Sequence, residues 1–331
     1  MLEQAIIFID NVSLKRSITG KIIDILLRTD LEIVGMKMFV PNEEMIKDFC
    51  NIIKSKISAS YIRHSYIDKR ILAIVMQGEN AVDKVKNITG RERTKMKRDY
   101  WHGTTIRGIY FGGSRKINPF FKVYENVVQI AQNRHEASRL IKLLWGKYQE
   151  SSISLRHLRG YEKNENEERT FIMLKPDAVQ YKLIGKIIDD LSRSGLYIVG
   201  AKVAKPTVEQ VRHHYSHLKN KGMDIFRRVV NNIYKKGESK VIQLVYQGPK
   251  GEVMRVIREI IGSTDPREAA IGTIRRSYGK DLDSNVIHAS SSLDDTEREL
   301  ALWDTQNELL EPIITYQLEK PEVRTNIPKN K

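Results

Sequence analysis

The chain of 331 residues, 38.3 kDa, is long enough for two domains of ordinary size. With 40% hydrophobic residues it can bury a core, which excludes wholesale disorder. A single cysteine, Cys50, excludes an internal disulfide and a multi-cysteine zinc site. No run of about 18 apolar residues is present, so no transmembrane helix is expected. The N-terminus MLEQAIIFIDNVSL lacks the basic flank and small-residue cleavage site of a secretory signal. A cytoplasmic protein without membrane attachment is the expectation. Lys and Arg number 56 against 41 Asp and Glu, a net charge of +15. Residues 1–160 hold 28 basic and 16 acidic side chains, so the excess sits in the first half. Such an excess suits an anionic partner such as nucleic acid or a phosphorylated ligand, and a lysine-rich surface accounts for it equally.

The first half opens with AIIFIDNVSLKRSITGKIIDILLRTDLEIVGMKMFVP at 5–41. That segment returns as TFIMLKPDAVQYKLIGKIIDDLSRSGLYIVGAKVAKP at 170–206, with 14 of 37 positions identical and no gap. GTTIRG at 103–108 returns as GTIRR at 272–276, and ENVVQ at 125–129 as SNVIH at 284–288. Trp145 and Trp303 each follow an apolar helical pattern. The chain is therefore read as one duplicated domain. The copies span 1–148 and 168–304, with a polar linker at 149–167 and a tail at 305–331 that carries Pro312 and Pro321 and reads as an extended arm.

In the second copy Thr170–Leu174 reads as a buried strand. Leu183, Ile184, Ile187, Ile188 and Leu191 recur at helical spacing, and Gly195 ends that helix. Leu196–Lys205 is strand-like, and helical stretches follow at about 207–217 and 223–236. Lys240–Tyr246 reads as a strand and Gly251–Ile261 as a helix. An irregular loop runs from Gly262 to Ser284 and a short strand covers Asn285–His288. Ser292, with Asp295 three residues on, reads as a capping box opening the last helix. Strands alternating with helices in this order suggest an α+β fold: two tandem ferredoxin-like βαββαβ sandwich domains with helical insertions.

Four features of the second copy carry chemistry. Lys175-Pro176-Asp177 ends the first strand, where proline stops the ladder and a lysine projects. Arg258-x-x-x-Gly262-x-Thr264 offers a cation and a hydroxyl. Gly272-Thr-Ile-Arg275 offers a guanidinium able to grip phosphate oxygens. Asn285-x-x-His288-x-Ser290 precedes Glu299 by a strand-to-helix turn, so the carboxylate can return to the imidazole. A neutral imidazole is a competent nucleophile near pH 7, and a carboxylate can fix its tautomer.

In this order and spacing, these residues resemble the nucleoside diphosphate kinase family over about 168–303. The resemblance implies ping-pong transfer of the γ-phosphate from ATP or another nucleoside triphosphate to a nucleoside diphosphate. His288 would be the phosphorylated nucleophile. Lys175 would contact the γ-phosphate and the ribose 3′-hydroxyl, Arg258, Thr264 and Arg275 the outer phosphates, and Asn285 the ribose. Glu299, Ser290 and Tyr215 would position the imidazole. Mg²⁺ would arrive bridging the nucleotide phosphates, with no protein metal ligand. Phe226, with Met223 as rival, would stack on the base opposite Leu282. Where the family has Gly and Asp after the histidine this chain has Ala289 and Ser291. Arg276 stands in TIRRS where TIRGD is usual and would add a charge near the phosphates. The first copy places Asp10 at the position of Lys175, Gln129 at that of His288, Arg107 at that of Arg275 and Lys86 at that of Arg258. It is read as a catalytically dead copy, with the basic run Arg91–Arg98 in its phosphate-loop counterpart. Family members form homo-oligomers, and a tandem could make one dimer interface within a chain. The alternative readings are a nucleotide- or nucleic-acid-binding regulator with vestigial kinase activity, and a protein-histidine phosphotransferase.

Overall fold

The structure, a computed structural model, describes residues 1–54, 56–91, 103–110, 114–118, 121–149, 166–234, 239–304 and 309–316. The first copy supplies strands β1 (Leu2–Ile9), β2 (Glu32–Phe39), β3 (Ile71–Glu79), a hairpin of β4 (Ser114–Asn118) and β5 (Phe121–Tyr124), and β6 (Val128–Ile130). Its helices are α1 (Asn11–Lys15), α2 (Thr19–Leu26), α3 (Glu43–Ile52), α4 (Lys56–Ser65), α5 (Ala81–Thr89), α6 (Ile106–Tyr110) and α7 (Arg134–Lys142). The second supplies β7 (Glu167–Leu174), β8 (Tyr197–Ala204), β9 (Val241–Pro249) and β10 (Ile287–Ala289). Its helices are α8 (Pro176–Gln180), α9 (Ile184–Ser192), α10 (Val208–His214), α11 (Met223–Tyr234), α12 (Val253–Ile261), α13 (Ile274–Tyr278) and α14 (Leu293–Trp303).

Each copy is a four-stranded antiparallel sheet, in order β6-β1-β3-β2 and β10-β7-β9-β8, which is the expected ferredoxin-like arrangement. Alternate residues of β7 feed different cores. Ile172 and Leu174 enter a large cluster that also takes Ile22, Ile23, Ile187 and Ile188, while Phe171 and Met173 join Tyr215, Phe226 and Trp303. His288 lies opposite Met173 in the ladder, so it shares the second face, against α10, α11 and α14.

The two sheets join edge to edge through β2 and β8, where Lys37 pairs with Lys202, to make eight continuous strands. Below the seam α2 crosses α9. A Cβ added to Gly20 would sit 2.2 Å from the Asp189 nitrogen, and one added to Gly185 would sit 2.3 Å from the Asp24 nitrogen. These reciprocal contacts define a pseudo-twofold axis, and they explain why GKIID stands in both copies: only glycine lets the two backbones approach so closely. Lys240 Nζ bonds Glu32 Oε2 at 2.8 Å, and Lys182 Nζ donates to the Thr29 carbonyl at 2.8 Å across the same seam. The tail returns to the first copy. Leu310 N–H donates to the Val34 carbonyl at 2.8 Å, and the Gln4 amide bonds both Pro312 and Ile314.

Several expected boundaries shift. β7 begins at Glu167, β9 runs to Pro249, and the stretch read as one helix over 207–217 is α10 followed by a 3-10 turn at Ser216–Lys221. The loop read as irregular contains α13. Ser292 Oγ accepts from Asp295 N–H, but the Asp295 carboxylate pairs with Arg298 and does not close the box. The linker from 150 to 165 lies outside the described residues, as do 92–98 of the basic run.

Candidate active site

Lys175 caps α8, with Pro176 at the first helical position where a missing N–H costs nothing. Asp177 Oδ2 accepts the Val286 N–H at 3.0 Å, its Oδ1 accepts Ala178 N–H at 3.1 Å, and the Val286 carbonyl accepts Lys175 N–H at 2.9 Å. These bonds hold Val286 at φ 60°, a conformation that a β-branched residue adopts only under constraint. The strand expected over Asn285–His288 therefore begins at Ile287, because the strained turn occupies its first two places. Val127 in the first copy has φ 57° at the matching place.

Arg275 closes the other side of this turn. Its NH1 donates to the Gly262 carbonyl and its NH2 to the Ile287 carbonyl, each at 3.0 Å. Arg107 makes the same pair of bonds, to Gly90 at 2.8 Å and Val128 at 3.0 Å. The arginine common to both copies is thus a staple of loop to strand, which accounts for its presence in both. In the second copy it also lines the cleft, and burial holds its pKa down to about 10.

His288 Nε2 lies 3.0 Å from Glu299 Oε2, which also accepts the Ser290 hydroxyl at 2.7 Å. The carboxylate faces the ring as an acceptor, so Nε2 carries the proton and Nδ1 keeps its lone pair, with no partner among the described residues. Burial first, then Lys175 and Arg275, push the His288 pKa down to about 3, so the imidazole is neutral at pH 7. Burial raises the Glu299 carboxyl above its ordinary range, opposed by His214 and Ser290. Tyr215 packs edge-on at 5.9 Å between ring centroids; its hydroxyl makes no bond to the imidazole and has no partner among the described residues.

A cleft of about 810 Å³ opens in front of His288. Lys175, Tyr215, Arg258, Thr264, Arg275, Leu282, Asn285 and Glu299 all line it, as expected. Lys175 Nζ donates to Asn285 Oδ1 at 2.6 Å, while Asn285 Nδ2 donates to the Thr264 carbonyl at 2.9 Å. Burial lowers the Lys175 pKa to about 8 despite the nearby Asp177. Arg258 NH2 bonds the Ser291 carbonyl at 2.9 Å.

Two expectations require correction. Phe226 is 6% exposed, packs in the core with Val230 and Ile233, and does not line the cleft. Its helical face is set by burial. Leu218 and Val229 line the cleft along with Leu282 instead, and Met223 is exposed outside it. Arg276 bonds the Pro266 and Arg267 carbonyls and adds no charge to the lining. Residues that the sequence reading did not single out also line the cleft, His217, Lys221 and Arg298, and Asp295, read only as a helix cap, joins them. His217 and Lys221 lie two and six residues after Tyr215, and that proximity was the one available signal.

The lining offers no carboxylate free to hold a divalent ion. Asp295 pairs with Arg298, and Glu299 is engaged by His288 and Ser290. His214 comes close to both His288 and Glu299, but the Trp303 indole N–H bonds its Nδ1 at 3.2 Å, so the three form a hydrogen-bonded cluster rather than a set of open ligands. This donor set fits an ion held by nucleotide phosphates.

The first copy is built differently at the matching place. Asp10 Oδ1 accepts Ser13 N–H at 2.9 Å, and Tyr61 Oη donates to its Oδ2. Tyr61 and Tyr66 pack edge to face there, both buried. A buried carboxyl, raised in pKa by burial, and two tyrosines stand where the second copy keeps a cation and a cleft. Lys86 pairs with Asp83, and Gln129 is buried on β6.

A nucleoside diphosphate kinase from Staphylococcus epidermidis is 42% identical over 142 residues, covering 43% of this chain and 91% of its own length. One from Staphylococcus aureus is 40% identical over the same share of each. The solved halophilic nucleoside diphosphate kinase from Halobacterium salinarum, in complex with CDP, is 39% identical and covers 44% of this chain and 92% of its own, with a TM-score of 0.38. The sequence model of the family, nucleoside diphosphate kinase, matches twice, at residues 3–149 and 168–309, and the chain belongs to that family.

Proposed function

We propose that the second copy carries the phosphoryl transfer and that His288 Nδ1 is the nucleophile. The observation that supports this most directly is the His288–Glu299–Ser290 arrangement, which leaves one lone pair facing a cationic cleft. Nδ1 attacks the γ-phosphorus of a nucleoside triphosphate, the bond to the β-phosphate oxygen breaks, and the diphosphate leaves. A second diphosphate attacks the phosphohistidine through a terminal oxygen and the N–P bond breaks. Glu299 holds the Nε2 proton throughout, stabilising the charge that the ring gains. Lys175 and Arg258 meet the transferring and outer phosphates, Arg275 adds its charge from the staple, Thr264 offers a hydroxyl, and Asn285 holds the Lys175 ammonium in place. Mg²⁺ carried on the nucleotide would neutralise phosphate oxygens during transfer. Leu282, Leu218 and Val229 give the cleft apolar lining on which a base can pack with little discrimination between bases. The first copy acts as the built-in partner of a pseudo-dimer and carries no transfer of its own.

Intact mass after ATP–Mg²⁺ treatment tests the reading. Wild type gains the mass of one phosphoryl group and His288→Ala gains none. Label on the His288→Ala chain, or exchange between ATP and GDP at near wild-type rate, would refute it. Because the first copy is unchanged in that variant, the same result shows that it forms no phosphoenzyme.

A further inference from the structure

Behind His288 stands a second imidazole that the transfer does not use. His214 ends α10 and is 1% exposed. Its ring meets that of His288 edge to face, with centroids 4.4 Å apart, and packs on Tyr215 at 4.5 Å and Phe171 at 6.2 Å. Its Nδ1 accepts the Trp303 indole N–H at 3.2 Å. An indole nitrogen can only donate, so Nδ1 holds the lone pair and the His214 proton sits on Nε2.

That tautomer matters because both histidines face one carboxylate. Glu299 Oε2 receives His288 Nε2–H and the Ser290 hydroxyl, while Glu299 Oε1 lies 3.9 Å from His214 Nδ1. A proton on Nδ1 would make His214 a rival donor to the same carboxylate, needing only a small shift to reach it. With the indole in place two N–H groups would collide. Trp303 is itself held from the seam: it is buried, and its carbonyl accepts Lys202 Nζ at 2.9 Å, from the strand that pairs with the first copy.

We propose that Trp303 is a positioning residue that locks the His214 tautomer and so reserves Glu299 for His288. The proposal rests on the reading of His288 as nucleophile. The groups facing His214 are His288 from β10, Glu299 and Arg298 from α14, and Tyr215 and His217 just past α10. Burial, His288, Arg298 and His217 disfavour the imidazolium, and Glu299 alone favours it. Without the indole N–H, His214 can carry its one proton on Nδ1 instead of Nε2 and turn toward Glu299.

Trp303→Phe keeps a ring and removes the donor. kcat should fall roughly 10- to 100-fold, as for a displaced reacting group, with KM within about twofold. Exchange of one neutral tautomer for the other takes up no net proton, so the loss relative to wild type should be the same from pH 8 to 6. In His214→Phe no rival nitrogen exists, so adding Trp303→Phe to it should cost no further kcat. Losses that add would mean packing alone and would overturn the lock. A direct readout needs no activity: in ¹⁵N-histidine spectra of the wild-type chain, the signal absent from His214→Phe should show a proton on Nε2 and none on Nδ1 down to pH 6. The Nδ1–H form there would overturn the proposal even if His288 is phosphorylated. A missing phosphoenzyme would instead refute the nucleophile and leave the tautomer result standing.

Discussion

Gly185→Ala probes the seam, and two opposed effects decide its sign. Glycine inside a helix is about 1 kcal/mol worse than alanine, so the exchange would stabilise α9 if space were free. Space is not free. The new Cβ would lie 2.3 Å from the Asp24 nitrogen, 2.6 Å from Asp24 Cα and 2.7 Å from the Gly20 oxygen, all backbone atoms. Ordinary contact begins at 3.4 Å, so the helices must part by about 1 Å, a gap that forfeits a quarter to a half of each contact across them. Overpacking costs about 1–3 kcal/mol, and backbone on both sides places this case at the upper end. The net loss is about 2 kcal/mol, a drop of roughly 4–8 °C in melting temperature at about 2–4 °C per kcal/mol. Gly20→Ala should lose a similar amount, because the pseudo-twofold makes its clash reciprocal. Gly146→Ala is the control, since its Cβ would meet nothing nearer than Lys142 Cγ at 3.8 Å. Calorimetry on the full chain reads all three. A Gly185→Ala protein melting at or above wild type would refute the close crossing and the interface built on it.

Other outcomes follow from single contacts. Lys175, with a pKa near 8, is charged below that pH, so kcat/KM should fall as pH rises through about 8, read from a profile over pH 6–10. In the folded state this lysine is lowered from 10.5, so its buried charge costs stability below about pH 8 and the cost lifts as pH rises toward 10.5. Asp177→Ala should strand two buried N–H groups, costing about 1–3 kcal/mol, and should lower kcat by freeing Val286 and with it His288; unchanged kcat would mean that the strained turn does not position the nucleophile. Tyr61→Phe should destabilise the chain by about 1–3 kcal/mol through the uncovered Asp10 carboxyl while leaving kcat/KM unchanged, and a fall in activity would contradict a silent first copy.

The duplication, the two sheets and many of the cleft-lining groups were legible in the sequence. Hydrophobic periodicity reports burial, and Lys175, Arg258, Arg275, Asn285, His288 and Glu299 sit at fixed places on strand ends and loops that such periodicity brackets. The departures lie where neighbours in space, not in sequence, set the outcome. Phe226 and Val229 are both apolar residues of α11, and only the packing of that helix on Phe171 and Trp303 turns the first inward and leaves the second at the cleft. Arg275 reads as a phosphate ligand and Arg107 as its counterpart, yet each also bonds two carbonyls from separate segments of the chain. His214 stood in plain view before Tyr215, but its role depends on an indole 89 residues away. The repeated GKIID announced a duplicated domain. That its glycines face each other, and so join the copies into one eight-stranded sheet, is a property of two backbones in contact, which no pattern along a single chain encodes.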